Sequence, residues 1–275
     1  MYIAHIREMD SREQLLIDHL TATAQQAAEF GEAFNNSEYA YLCGLLHDIG
    51  KYSRAFQNRI KHNGNKCDHS SAGAKIISER SLYGKLIAYC IAGHHSGLQD
   101  YGSDADVGGE GTLSARLAET YMVEDFAAYR KEILEDIAVK SPPSIKRLSK
   151  MGFSCSFFIR MLYSCLVDAD FLDTECFMLN GSIDRAVNYN FDEMLEKLEK
   201  VLKNISRFDN IVNLKRSEIL KSCIDSSNAD RGLFTLTVPT GGGKTLSSMA
   251  FALNHLKRNN MNRIIYVIPY TSIIE

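Results

Sequence analysis

Residues 45–51 read Leu45-Leu46-His47-Asp48-Ile49-Gly50-Lys51. This stretch places an imidazole beside a carboxylate near the end of a helix that is predicted to run from Ser37, a favourable N-cap, to Ile49. Gly50 is its natural stop. A carboxylate on a helix that faces the core is costly to bury unless a cation or several donors accompany it. The stretch therefore predicts a helix whose aspartate has such partners beside it.

Further histidines and aspartates fall on other predicted helices. Imidazole nitrogens and carboxylate oxygens together suit manganese, iron, cobalt or nickel. If Asp48 bridged two ions about 3.5–4 Å apart, they would clamp the attacking and leaving oxygens of a phosphodiester. The candidates besides residues 47 and 48 are His19 in helix 11–30, His69 before helix 70–82, His94 and His95 at the end of helix 84–95, and Asp168 and Asp170 in helix 154–173.

Each of these residues alone has an ordinary explanation. A single histidine on an apolar stripe, such as His19, is more often a hydrogen-bonded core residue, and His-His or His-Asp pairs occur by chance. Their joint occurrence in one helical domain favours the metal site. The remaining histidines fit no pattern and are predicted to lie on the surface; they are His5, His62 and His255.

The composition is that of an ordinary globular protein. Of 275 residues, 45% are hydrophobic and 24% are charged, and no apolar run approaches the roughly 20 residues that span a bilayer. The net charge of −3 provides no global basic field for nucleic acid. Seven cysteines without a C-x-x-C pair argue against a disulfide scaffold. We therefore expect a soluble, cytoplasmic protein with no membrane segment.

The pattern changes near residue 208. Before it, helices are also predicted at 112–137 and 191–206, with a glycine-rich, acidic loop at 97–111. After a helix at 209–225, short β-rich runs at 233–238 and 263–268 flank a further helix. The fold class predicted is mainly α, an all-α domain (1–207) followed by the opening βαβ unit of an α/β domain (208–275). The chain is expected to stop just after the second strand of that unit.

The loop between the first run and its helix is Pro239-Thr240-Gly241-Gly242-Gly243-Lys244-Thr245. Strand, glycine-rich loop and helix are the context of a phosphate-binding loop. Gly241, Gly242 and Gly243 would let backbone N–H groups approach the phosphates of ATP, Lys244 would reach the β- and γ-phosphates, and Thr245 would hold Mg²⁺. The strict pattern has glycine at 238, where this chain has Val238, and a plain glycine-rich turn is the alternative.

Taken together, these motifs resemble the HD phosphohydrolase superfamily, and more narrowly the HD nuclease domain of the nuclease–helicase of type I CRISPR systems, closest to subtype I-C. The loop at 239–245 and Pro269-Tyr270-Thr271 resemble superfamily 2 helicases, in which the departure at Val238 is typical. The sequence motifs on which the HD resemblance rests are Asp18-His19-Leu20, Leu46-His47-Asp48-Ile49-Gly50-Lys51, Asp68-His69-Ser70, Gly93-His94-His95-Ser96-Gly97 and Leu166-Val167-Asp168-Ala169-Asp170.

The resemblance implies two metal ions. Residues two apart on a helix differ by about 200°, so Asp168 and Asp170 cannot face one ion. Periodicity does not choose between them, but the family's Ala-Asp motif matches Ala169-Asp170. Lys51 would stabilise a developing negative charge or protonate a leaving oxygen, or it is simply a solvated lysine at a helix end. The implied ligands are His19, His47, Asp48 and Asp170 for one ion, and Asp48, His69, His94 and His95 for the other.

The resemblance also implies a function. The family hydrolyses single-stranded DNA recruited by an RNA-guided CRISPR surveillance complex in antiviral defence, with ATP and magnesium driving its helicase part. That part is incomplete here, so we expect no ATPase or helicase activity from this chain alone. The alternatives are an HD phosphohydrolase acting on nucleotides and a non-catalytic fragment that binds the surveillance complex. The native metal and the preference for DNA over RNA remain open at this point.

Overall fold

The computed structural model describes residues 1–103, 105–107, 111–118, 126–133, 139–142, 151–181, 190–205 and 210–267. The protein is mainly helical and divides into two compact units, Met1–Asp184 and Arg185–Glu275. No described helix is both long and apolar enough to cross a membrane.

The first unit is a helical domain with a small hairpin at its N-terminus. Its strands are β1 (Ile3–Arg7) and β2 (Arg12–Leu15), and its helices are α1 (Leu16–Glu32), α2 (Ser37–Leu46), α3 (Arg54–His62), α4 (Ser70–Arg80), α5 (Gly84–Gly93), α6 (Leu113–Ala118) and α7 (Met151–Leu179), with 3₁₀ turns at Ile49–Tyr52 and Ala127–Lys131.

The predicted mainly helical fold is confirmed, with only this small sheet in the described residues, but the helix predicted from residue 11 begins later because the hairpin precedes it. β1 and β2 pair antiparallel with His5 opposite Gln14, and a bulge lies between Ile3 and His5. The backbone of Leu15 is extended, and the N–H of Leu16 donates to Tyr2 O at 2.9 Å. Because residues 12–15 use their backbone groups in the sheet, the helix begins only at residue 16.

Helix α1 packs directly on α2, and α2 on α4, through close backbone approaches. A Cβ atom on Gly44 of α2 would lie 2.6 Å from Ala24 Cα of α1, and one on Gly73 of α4 would lie 1.8 Å from Leu46 O. Such contacts bring the helix axes together and leave no room for a larger residue. The apolar core around them includes the fully buried Leu16, Leu20, Leu46, Ile49, Ile77, Ile87, Ile91, Leu162 and Leu166.

Most predicted helices of this unit are confirmed, with shifted ends. Those predicted at 70–82, 84–95 and 154–173 are α4, α5 and α7. The helix predicted at 112–137 is only partly described, as α6 and the second 3₁₀ turn, and the described residues of 97–111 form no helix or strand.

The end of the helix predicted at 37–49 is different. Helix α2 ends at Leu46, and Asp48 leaves the helical conformation with φ −113° and ψ 21°. Gly50 is therefore not the helix stop but part of the 3₁₀ turn, where its N–H donates to His69 O at 3.2 Å. That hydrogen bond joins the end of α2 to the start of α4.

The second unit contains α8 (Phe191–Ile205), α9 (Ile211–Ser226) and α10 (Lys244–Arg258). The helices predicted at 191–206, at 209–225 and after the glycine-rich loop are confirmed. The strands predicted at 233–238 and 263–268 are not formed in the described residues, which run as unpaired chain up to 267. A strand is stabilised by its hydrogen-bonded neighbours, and no described segment pairs with either run. Of the predicted βαβ unit, the described chain therefore shows only the helix.

Candidate metal centre

Five helices converge on one polar cluster inside the apolar core of the first unit. His19 projects from α1 and Asp170 from α7, while His47 and Asp48 follow the last residue of α2. His69 immediately precedes α4, and His94 and His95 follow α5. The structure thus brings together the seven residues that the resemblance implied as metal ligands, and of the eight candidates in the sequence only Asp168 is not among them.

The carboxylate of Asp48 lies at the middle of this cluster. Its side chain is 1% exposed. One oxygen, Oδ2, lies 3.5 Å from His19 Nε2 and 3.3 Å from His47 Nε2. The other oxygen, Oδ1, lies 3.6 Å from His69 Nε2 and 3.5 Å from His94 Nε2. The two oxygens of one carboxylate therefore face two different pairs of imidazoles.

We call the part of the cluster around Asp48 Oδ2, with His19 and His47, its first side, and the part around Oδ1, with His69 and His94, its second side. Asp170 lies on the first side. Its Oδ1 is 3.4 Å from His19 Nε2 and 3.6 Å from His47 Nε2. Asp168 is exposed on the same helix, away from the cluster. The 200° separation of the two aspartates allows only one to face inwards, and the fold selects Asp170.

The second side of the cluster includes His95. Its Nε2 lies 2.8 Å from His69 Nε2, and the residue is exposed, so this edge of the cluster opens to solvent. Three groups of donor atoms are close enough together to hold an ion. They are Asp48, His69, His94 and His95; His19, His47 and Asp48; and His47, His94 and Asp170. The first is the ligand set implied for the second ion, whereas the set implied for the first ion is divided between the other two groups.

The outer hydrogen bonds fix which nitrogen of three imidazoles faces inwards. His47 Nδ1 donates to Gly44 O and His94 Nδ1 to Ile91 O, both at 2.7 Å, and His19 Nδ1 lies 2.6 Å from Asp173 Oδ2. Carbonyl and carboxylate oxygens accept hydrogen bonds, so each Nδ1 carries the hydrogen. Each Nε2 then points into the cluster. This arrangement is typical of histidines that bind metals.

The inward atoms fit a cation. Nε2 of His19, His47 and His94 and Oδ1 of Asp48 are buried and have no hydrogen-bond partner among the described residues. Unpartnered buried polar atoms are costly, and four of them directed at one space would be satisfied by divalent ions. The buried His and Asp residues of this protein could therefore hold a divalent metal.

In the metal-free protein, charges within the cluster compensate one another. Burial opposes ionisation of Asp48, but Lys51 and His47 outweigh it and hold the pKa of this carboxyl well below its ordinary value. Burial likewise disfavours charged imidazoles, yet nearby carboxylates raise the pKa of His19 to about 9 and that of His47 to about 10. On the first side of the cluster, protonated histidines thus compensate the charge of the carboxylates when no metal ion is bound.

On the second side of the cluster, the pKa values of His95 and His69 are lowered and not raised. Burial, with a smaller effect of His94, lowers the pKa of His95 to about 4. Burial also lowers the pKa of His69. Both imidazoles are therefore neutral at pH 7, which is the form that binds metals.

Lys51 belongs to this centre. Its side chain is 6% exposed, and Nζ lies 2.6 Å from Asp48 Oδ2. The alternative of a solvated lysine at a helix end is therefore wrong. A buried ammonium beside the central carboxylate is placed to interact with negative charge that develops there.

Two residues of the centre were missed by the sequence reasoning. His5 was predicted to lie on the surface, but its Nε2 lies 3.3 Å from Lys51 Nζ, and burial and Lys51 lower its pKa to about 4. Asp173, which holds His19, lies three residues after Asp170 and thus on the same face of α7; that spacing could have revealed it. The surface prediction is also wrong for His255, which is buried in the second unit, and is confirmed for His62.

The predicted phosphate loop forms a single turn in the second unit. Gly241 and Gly243 have φ of +82° and +80°, and a Cβ atom on Gly242 would lie 2.3 Å from Val238 Cγ1. All three positions therefore favour glycine. Lys244 and Thr245 are exposed in the first turn of α10. The motif predicted at Tyr270 and Thr271 lies outside the described residues.

Comparison with known families agrees with this geometry. Residues 16–139 match the HD domain family, so the chain contains an HD domain. The matched region includes Asp48 and the five histidines proposed as ligands, whereas Asp170 lies beyond it. No curated protein matches the chain. An HD domain with a buried His/Asp cluster fits a metal-dependent phosphohydrolase.

Proposed function

We propose that this protein is a metal-dependent nuclease that hydrolyses phosphodiester bonds in single-stranded DNA. The observation that carries the proposal is the division of the inward nitrogens between the two oxygens of Asp48, because it provides for two adjacent cations. Two bound divalent ions would supply water activation and neutralise charge on the phosphodiester. The protein contributes the placement of both ions and the groups around them.

The proposed ligands follow the two sides of the cluster. Asp48 would serve both ions, and its loss is expected to abolish binding of both. The first ion would be held by His19, His47, Asp48 and Asp170, and the second by Asp48, His69, His94 and His95. Manganese, nickel, cobalt or iron suits these nitrogen and oxygen donors.

Two further features support a reaction at an extended phosphodiester. His95 forms an exposed edge of the cluster, through which a substrate can approach the buried donors. Lys51 lies beside Asp48 and is proposed to stabilise negative charge on the phosphate or to protonate the leaving oxygen. We therefore propose Asp48 and Lys51 as the catalytic residues.

The wider context is proposed from the resemblance. Residues 1–207 would act as the nuclease domain and residues 208–275 as the beginning of a helicase domain, in a cytoplasmic nuclease–helicase of CRISPR interference. Its partners would be single-stranded DNA and an RNA-guided surveillance complex. The turn at 241–245, with its three glycines before α10, suits the phosphates of ATP with Mg²⁺ once the rest of such a domain is present.

The proposal is tested with the purified chain and labelled single-stranded DNA, circular and linear, in the presence of manganese, nickel or magnesium. Metal-dependent cleavage is expected for the unaltered protein and for Asp168→Ala, which removes an exposed carboxylate from the same helix as Asp170. Asp48→Ala should be inactive. Cleavage of the circle would establish that no free end is required.

Two results would contradict the nuclease. A folded, metal-loaded protein that hydrolyses nucleotides but no DNA would be an HD phosphohydrolase of small substrates. One that hydrolyses neither and binds the surveillance complex would be a non-catalytic binding module. Metal content is measured on the same samples, so that an empty centre is not mistaken for an inactive one.

A further inference from the structure

The N-terminal hairpin reaches the metal centre through two side chains. His5 on β1 and Gln14 on β2 are partners in the strand register. The ring of His5 packs edge-on against that of His19, with 4.8 Å between their centroids. His5 Nε2 lies 3.3 Å from Lys51 Nζ. The hairpin therefore contacts both a candidate ligand and a candidate catalytic residue.

Gln14 connects the two sides of this contact. Its Nε2 donates to Asp173 Oδ2 at 2.7 Å, and its Oε1 lies 2.8 Å from His5 Nδ1. An ionised carboxylate only accepts hydrogen bonds, so the NH₂ group of the amide faces Asp173. The amide oxygen then faces His5, whose Nδ1 is the donor.

The direction of these hydrogen bonds determines the tautomer of His5. A neutral imidazole with its hydrogen on Nδ1 has a lone pair on Nε2. The ammonium of Lys51 has donors only, so the 3.3 Å contact is a hydrogen bond from Nζ to His5 Nε2. The same ammonium lies 2.6 Å from Asp48 Oδ2 and 5.4 Å from the centre of the Phe56 ring.

We propose that His5 is a positioning residue for Lys51, with Gln14 setting its tautomer. The reason is that Asp48 Oδ2 is also a proposed ligand of the first ion, so it cannot be an acceptor for Lys51 only. His5 is the second acceptor in contact with the ammonium, and it retains Lys51 beside the reacting phosphate. The inference rests on the proposed function in one respect, which is that Lys51 takes part in the reaction.

The tautomer is tested first, without reference to activity. Long-range ¹H–¹⁵N spectra of the histidine rings are recorded at pH 8 for the metal-free and the zinc-loaded chain, and His5 is assigned from its missing signals in His5→Gln. We expect His5 to have its hydrogen on Nδ1 in both samples. Gln14→Met removes both hydrogen bonds of the amide and should shift His5 towards the Nε2–H form or a mixture.

A matched control is available on the same strand. Glu13→Met introduces the same side chain at the adjacent, exposed position of β2 and should leave the tautomer unchanged. A wild-type protein with His5 in the Nε2–H form would overturn the proposal, as would a Gln14→Met variant whose tautomer is the same as that of the wild type.

The second test measures single-turnover cleavage of DNA with saturating manganese. Small displacements of a reacting group typically reduce rates by about 100-fold. We expect His5→Phe to lower the rate constant about 10- to 100-fold, with little change in the protein concentration that gives half of the maximal rate. His5→Gln provides an amide oxygen that can accept from Lys51 and should recover part of the rate.

The two failures can be told apart. If the wild type cleaves DNA and His5→Phe is equally fast, the positioning role is refuted while the nuclease stands. If the wild type cleaves no DNA, the proposed function fails, and the tautomer experiment still decides whether Gln14 sets the tautomer in which His5 Nε2 can accept a hydrogen bond from Lys51. An equal loss of rate in His5→Phe and His5→Gln would also refute the role, because it would reflect the structure of the hairpin alone.

Discussion

Replacement of Asp48 by asparagine removes the central charge of the candidate metal centre and keeps the shape of the side chain. In the metal-free protein this buried carboxylate lies 2.6 Å from Lys51 Nζ and 3.3 Å from His47 Nε2. Burial opposes its ionisation, but Lys51 and His47 hold its pKa well below 3.8. Asp48 is therefore anionic at pH 7, and its partners are the compensating cations.

The expected magnitude follows from what the substitution leaves behind. Removing one partner of a buried ion pair costs about 3–5 kcal/mol, because the remaining charge has no counter-ion. Here the remaining charges are Lys51, with a side chain 6% exposed, and a protonated His47. We expect metal-free Asp48→Asn to lose stability within that range.

The loss should depend on pH with a defined sign. A carboxyl whose pKa is lowered by folding stabilises the protein above its unfolded pKa, which is 3.8 for Asp48. The difference between wild type and Asp48→Asn should therefore be fully present at pH 7. It should shrink as the pH falls below about 4 towards the folded pKa.

Hydrogen exchange measured by mass spectrometry localises the effect to the first unit. Peptides covering α2 with its 3₁₀ turn and α7 are compared after removal of metal with a chelator. A loss of 3 kcal/mol corresponds to protection lower by about 100-fold or more. Asp168→Asn is the control, because it changes an exposed aspartate on α7 and should leave protection unchanged. Equal or greater protection in Asp48→Asn would refute the charge balance described above.

Three further predictions concern the same unit. Metal binding at pH 8 should release about two protons, because His19 and His47, with pKa values of about 9 and 10, must become neutral to bind. Calorimetry in buffers of different ionisation enthalpy counts the released protons. The affinity for metal should therefore rise with pH. Gly73→Ala should destabilise the protein by more than about 1 kcal/mol in urea titrations, because its Cβ would lie 1.8 Å from Leu46 O. The control is Gly152→Ala, whose Cβ would have no neighbouring atom within 4 Å. This variant should be neutral or stabilising. A divalent metal at 100 times its Kd should stabilise the unit by about 2.7 kcal/mol, and chelation should reverse this; equal melting with and without metal would contradict binding to the folded state.

Local sequence signals predicted the helices well and the ends of the helices less well. The apolar spacing of α1 and the composition of α7 are properties of each segment alone, so they can be recognised without knowledge of the fold. The start of α1 was placed too early because residues 12–15 pair with a strand that lies earlier in the chain. The strands predicted in the second unit failed for the converse reason, since an apolar run becomes a strand only when another strand pairs with it.

The chemistry of the centre was also largely present in the sequence. The types of the donor residues, and their positions near helix ends and on apolar helices, indicated a metal site before any distance was known. The prediction that Asp48 is shared between two ions came from the family resemblance. The choice of Asp170 over Asp168 came from a resemblance to a family motif, because the spacing of two residues excludes a shared ion without saying which aspartate faces inwards.

The list of donors and the helices that bear them could thus be recognised in the sequence. Their meeting in one cluster is a property of the folded domain, because it depends on close packing at Gly44 and Gly73 between segments distant in the chain. The tertiary structure also decided that Lys51 is buried and that His5 and Asp173 belong to the centre. The burial of a polar group and its hydrogen-bond partners are properties of the whole packed domain, and no local pattern of residues specifies them.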